Sequence, residues 1–121
     1  MKISALHHVQ LAMPKGGEKA ACAFYQELLG LEEVAKPPIL AARGGVWFES
    51  GAVRVHLGVE DDFRAARKAH PAFEVDGVEE LLATLEAAGI SVTRDENLQG
   101  FARGYVEDPF GNRVELLEPE E

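Results

Sequence analysis

The sequence predicts an α+β fold of two tandem βαβββ half-modules, about residues 1–60 and 70–121, within one domain spanning 1–121. Two observations predict it. The chain is written twice: Arg54-Val55-His56-Leu57 recurs as Arg113-Val114-Glu115-Leu116 at an offset of 59 (113 − 54), and Gly45/Gly104 and Gly30/Gly89 keep that offset. Each copy also runs from an alternating apolar/polar segment through a helical stripe to a hairpin pattern. A repeat present only twice is not a solenoid, which needs about three units, and 121 residues suffice for a hydrophobic core.

The elements follow in order. Ala5 to Met13 alternates, with Val9, Leu11 and Met13 on one face and His8, Gln10 and Ala12 on the other, so it reads as a strand. Pro14 to Gly17 is a loop. Glu18 to Leu29 reads as a helix, because Ala21, Phe24, Tyr25 and Leu28 follow i, i+3, i+4, i+7 and Gly30 suits the position after the helix end. Leu31 to Leu40 holds a short strand before Pro37-Pro38, which stops regular structure. Val46 to Ser50 and Val53 to Val59 form a hairpin around Ser50-Gly51-Ala52.

Glu60 to Ala69 is a charged connector whose composition allows some helix. His70 to Val75 opens the second copy as a strand, its first residue held extended by Pro71. Asp76-Gly77-Val78-Glu79 has the form of a capping box with Asp76 at the N-cap, before an apolar stripe of Val78, Leu81, Leu82, Leu85 and Ala88 closed by Gly89. A short strand at Ser91 to Thr93 precedes a last hairpin, Phe101 to Glu107 and Arg113 to Leu117, around Asp108-Pro109-Phe110-Gly111-Asn112. In each half the helix covers one sheet face and the other becomes the wall of a cleft.

A net charge of −9 argues against nucleic acid and anionic membranes as partners. A local arginine cluster still permits an anionic small molecule. The single Cys22, set among Ala20, Ala21, Ala23 and Phe24, excludes an intrachain disulfide and reads as a buried helix residue rather than a reactive thiol. With no cleavage signal and no long apolar run, the expected location is the cytoplasm.

The histidines carry the chemistry. His8 and His70 stand near the starts of the two copies (offset 62, 70 − 8), and His56 and Glu115 near their ends. Strand parity turns all four toward the cleft, because Val55, Leu57, Val114 and Leu116 take the helix side. Converging imidazoles and a carboxylate suit one divalent metal ion, of Fe, Mn, Ni, Co or Zn type. Histidines on strands are often merely structural, and parity assigns His7 that role on the helix side. Arg54 and Arg113 face the cleft, joined by Arg103 on the preceding strand, and suit a carboxylate or phosphate substrate. The structural alternative pairs them with Glu49, Glu74 or Glu107. Gln10 lies on the cleft side as a further substrate contact, Tyr105 either joins it or packs in the sheet, and one of Trp47 and Phe48 lines the cleft while the other packs.

These motifs resemble the vicinal oxygen chelate superfamily: glyoxalase I, bleomycin resistance proteins, fosfomycin resistance enzymes, methylmalonyl-CoA epimerase and extradiol dioxygenases. The resemblance spans nearly the whole chain. It rests on Leu6-His7-His8-Val9, on Phe24-Tyr25-Gln26-Glu27-Leu28-Leu29-Gly30-Leu31, on Val75-Asp76-Gly77-Val78 and on Asp108 to Leu116. It implies paired βαβββ modules around a U-shaped, partly closed sheet, with a divalent metal at His8, His56, His70 and Glu115, and a homodimer. It also implies Glu115 and His56 as proton carriers in chemistry on a small oxygenated metabolite chelated through two oxygens. His56 departs from the Glu or Gln usual in glyoxalase I. His8, His70 and Glu115 alone match the two-His, one-Glu triad of extradiol dioxygenases. Lyase or isomerase, dioxygenase, and non-catalytic binder with a vestigial metal site remain the three readings.

Overall fold

The computed structural model describes all 121 residues. Two compact units form, Met1–Arg64 and Ala65–Glu121, and the division falls within the charged connector.

The first unit contains β1 (Val9–Met13), α1 (Glu18–Ala21), which runs on as a π-helical stretch (Cys22–Leu28), β2 (Glu32–Val34), α2 (Pro38–Ala41), β3 (Val46–Ser50) and β4 (Val53–Val59). Its four strands lie in the order β1-β4-β3-β2, with β1 parallel to β4 and the other pairs antiparallel. Alternation drives the core: Leu11, Met13, Val46, Phe48, Val55 and Leu57 are buried on the face that carries Ala21, Phe24 and Tyr25. The helix is wound wider than the 3.6-residue stripe predicted, as Leu29 N–H donates to Phe24 O at 2.9 Å, five residues back. The wider turn buries Phe24 and Tyr25 together, and Tyr25 stacks toward Phe48 at 5.6 Å.

The first strand is shorter than expected. It begins at Val9, and residues 1–8, including His7 and His8, precede it as an exposed segment. Parity therefore does not reach His7, which sits beside His8 instead of on the helix side, with their Nδ1 atoms 3.0 Å apart. Pro38 does not stop structure but opens the short α2 as a first-turn proline. Gly45 is required: its φ is +89°, and a Cβ there would strike the carbonyl oxygen of Leu57.

The second unit contains β5 (Ala72–Glu74), α3 (Val78–Ala87), β6 (Val92–Asp95), β7 (Phe101–Glu107) and β8 (Arg113–Pro119). It repeats the first topology, in the order β5-β8-β7-β6 with β5 parallel to β8. Val78, Leu82 and Leu85 of α3 are buried on the face of Val106, Val114 and Leu116. Gly104 admits them, since a Cβ there would meet Leu82 Cδ1 at 2.9 Å. Residues 60–69 hold no helix, and His70 precedes β5 rather than opening it.

The capping box is not formed. Gly77 occupies the N-cap with φ +80° and makes no side-chain cap bond. The Glu118 carboxylate instead accepts the N–H groups of Gly77 (2.8 Å) and Val78 (3.0 Å) from 40 or more residues away in sequence. Those two bonds hold the Glu118 carboxyl below its ordinary range.

Candidate functional site

Each unit presents a polar sheet face opposite its helix, and the repeat-related candidates meet there in pairs. In the first unit, β3–β4 pairing sets Trp47 across from His56, so Phe48 packs in the core and Trp47 lines the polar face. The indole and imidazole lie flat together, 4.0 Å between centroids and 5° from parallel. His8 stacks on the other side of His56 at 4.3 Å and 19°. Burial, followed by the neighbouring His8, lowers the His56 pKa. Stacked rings hold their in-plane lone pairs in near-parallel planes, so one ring must turn before both can bind one ion. Gln10 is His56's partner across β1–β4. Arg54 is engaged internally: its Nη1 donates to His7 O at 3.3 Å, and Nε lies 3.7 Å from Glu49. This matches the structural alternative for that arginine.

In the second unit, His70 Nε2 lies 2.9 Å from Glu115 Oε1, and His70 Nδ1 lies 2.7 Å from Lys68 O. Glu115 Oε2 accepts from Arg103 Nη1 at 3.1 Å. Arg103 in turn pairs with Asp95 at 3.0 Å, its cross-strand partner in the β6–β7 register. Asp95 and Glu115, rather than Glu49, Glu74 or Glu107, are thus the partners of this arginine. Burial works to raise the Glu115 pKa, but the bonds from His70 and Arg103 outweigh it and leave the carboxyl below its ordinary value. Tyr105, opposite Glu115 in the β7–β8 register, meets the His70 ring edge-on at 5.5 Å. The Arg113 guanidinium carbon stacks 4.0 Å above the Tyr105 centroid.

The donors fit a metal in kind. Lys68 O can only accept a hydrogen bond, and so can the ionised Glu115. A neutral His70 has one N–H for these two acceptors. His70 and Glu115 would hold a cation here, with His70 Nδ1–H donating to the Lys68 carbonyl, the usual orienting bond of a metal-ligating histidine. No three His, Cys, Asp or Glu side chains gather into a metal-holding group.

Cys22 is half-buried, and desolvation with the nearby Glu33 carboxylate raises its thiol to about 11, so it is not a nucleophile at neutral pH. Arg67, missed in the sequence, lies with Arg113 around a cavity of about 290 Å³ in the second unit. No helix is long and apolar enough to cross a membrane.

Comparison with known proteins gives the family. Residues 5–116 match the family model described as the Glyoxalase/Bleomycin resistance protein/Dioxygenase superfamily. A glyoxalase family protein from Bacillus anthracis is 45% identical, with a TM-score of 0.95 over 99% of this chain and 98% of that one. A lactoylglutathione lyase from Agrobacterium tumefaciens is 28% identical, with a TM-score of 0.75 over 98% and 96%. A fosfomycin resistance protein from Listeria monocytogenes shares the fold at 20% identity, with a TM-score of 0.77 over 98% and 96%. No curated protein matches the sequence.

Proposed function

We propose, from the premise that the chain belongs to the glyoxalase/bleomycin resistance protein/dioxygenase superfamily, that it is a divalent-metal-dependent enzyme. Its substrate is a small, oxygenated, anionic metabolite chelated through two neighbouring oxygens. The observation that carries this reading is His70, whose two ring nitrogens both face acceptors, Lys68 O at 2.7 Å and Glu115 Oε1 at 2.9 Å. His70 and Glu115 are the donors from the second unit and His8 that from the first, with His56 beside His8. We assign the protein to a homodimer, because βαβββ modules leave sheet edges that can pair with a second chain. Sedimentation at micromolar concentration giving only a 13.2 kDa species contradicts the dimer.

When bound, the metal supplies Lewis acidity toward charge developing on the substrate oxygens. The chain's own groups do the rest. Arg103 holds one Glu115 oxygen and leaves the other toward His70, fixing the carboxylate's orientation. His56 is neutral at pH 7 because burial lowers its pKa, so it can accept a proton from a substrate carbon or hydroxyl. Trp47, flat against His56, excludes water from that ring.

A second reading has its own support. Glu115 is already satisfied by Arg103 and His70, an arrangement that also suits a non-catalytic binder whose metal site is vestigial. Metal analysis of the purified protein, then a substrate panel under air and under nitrogen, separates the readings. Stoichiometric iron with oxygen-dependent turnover identifies a dioxygenase. Oxygen-independent turnover identifies a lyase or isomerase. Absence of both metal and turnover favours the binder.

A further inference from the structure

We propose that the cavity between Arg67 and Arg113 is a carboxylate subsite. It recognises the anionic end of a small acid whose vicinal oxygens reach the His70–Glu115 pair. The proposal deepens the metal-enzyme reading and rests on it only for what lies at the far end of the substrate.

The fold brings Arg67 and Arg113 to the wall of one cavity. In the turn after β7, Asp108 Oδ1 accepts the N–H groups of Phe110 (2.9 Å) and Asn112 (2.8 Å), and Asp108 Oδ2 accepts from the Asn112 side chain at 2.9 Å. Asn112 Oδ1 then accepts Ala66 N–H at 3.0 Å, and Arg113 N–H donates to Ala66 O at 2.8 Å. The connector is thereby pinned to the start of β8 at Ala66, and the next residue, Arg67, shares the cavity wall with Arg113. Like charges brought together this way repel unless an anion joins them.

No carboxylate of the chain forms an ion pair with Arg67 or Arg113. Arg54, Arg94 and Arg103 all pair with carboxylates within 4.0 Å, whereas Arg67 and Arg113 do not. The cavity also holds Glu107, which faces Arg113 across the ladder but forms no ion pair with it. Arg113 is spent on one face only, against Tyr105, and its N–H edge remains for a planar, two-oxygen ligand. Ser91 and Thr93 belong to the same wall.

Charge and size choose the ligand class. Two guanidinium groups and Glu107 sum to +1, which a monoanionic carboxylate neutralises, whereas a dianionic phosphate leaves an excess negative charge beside Glu107. A volume of about 290 Å³ lies at the small end of ligand pockets, which run from about 300 to 1,000 Å³. Tyr105 lines the cavity and meets the His70 ring at 5.5 Å. Arg113 and Glu115 are two residues apart on β8, about 7 Å at about 3.3 Å per residue. The acid therefore carries its chelating oxygens a few bonds from its carboxylate.

The test uses the purified full-length protein and two probes, butyrate and inorganic phosphate, followed by amide chemical shifts. Butyrate is expected to shift Arg67, Tyr105 and Arg113, and Arg67→Gln or Arg113→Gln to weaken it at least tenfold. Glu107→Gln is expected to let phosphate compete. His70→Ala, which removes a proposed metal donor, is expected to keep the butyrate shifts, so a failed metal reading and a failed subsite give different results. Unchanged butyrate affinity in Arg67→Gln, an exposed connector position, overturns the proposal. So does phosphate displacing butyrate from the wild type.

Discussion

Trp47 lies flat on His56, 4.0 Å between ring centroids and 5° from parallel, and it is the only tryptophan in the chain. A protonated imidazole quenches an indole it touches, so Trp47 emission reads the protonation of His56. Burial and His8 depress the His56 pKa, and the quenching transition of metal-free protein is expected below about 6.5, the ordinary histidine value. It should vanish in His56→Leu. A midpoint at or above 6.5 contradicts the placement of this ring.

The same shift has a stability consequence. Between the folded and unfolded pKa values of His56 the unfolded chain binds more protons, so stability rises with pH across that window. The contribution is fully present above about 6.5 and is lost as pH falls through the folded value. Urea unfolding of metal-free protein from pH 7.5 to 5.5 should show wild type losing stability and His56→Leu losing less.

Glu118 is expected to cap α3 through Gly77 and Val78, while Asp76 does not. Glu118→Ala should lower the unfolding midpoint, and Asp76→Ala should change it little. Because the folded Glu118 pKa is depressed, its stabilisation holds above the unfolded value of about 4.3 and fades as pH falls through the folded one. The acid limb of the stability curve should therefore flatten in Glu118→Gln.

Gly45→Ala places a Cβ against the Leu57 carbonyl at φ +89°, and a cost of about 2–4 kcal/mol in denaturant unfolding is expected. Gly30→Ala, with open space around the added Cβ but φ +80°, should cost only about 1–2 kcal/mol.

The alternation of Val46 to Val59 and of Phe101 to Leu116 made the long strands readable, because one buried face imposes a period of two. The π winding of Cys22–Leu28 was not readable, since Phe24 and Tyr25 fit a 3.6-residue stripe equally well. Nothing local announces that Glu118 caps a helix at Gly77. In the site, the repeat disclosed the pairs His8/His56 and His70/Glu115. Arg103's partner escaped because the predicted strand at Ser91 to Thr93 stops before Asp95, which β6 includes. Arg67 escaped because its position depends on two hydrogen bonds of Ala66 to the distant Asn112–Arg113 backbone and side chain.

We propose that His8, His70 and Glu115 hold a divalent metal with His56 beside them. The most direct test is elemental analysis after dialysis against a weak chelator at neutral pH, for wild type, His7→Ala, His8→Ala, His70→Ala and Glu115→Ala. A stoichiometric ion is expected in wild type and in His7→Ala, and its loss in each of the other three. A wild type that holds no metal, or a Glu115→Ala variant that holds as much as wild type, contradicts it.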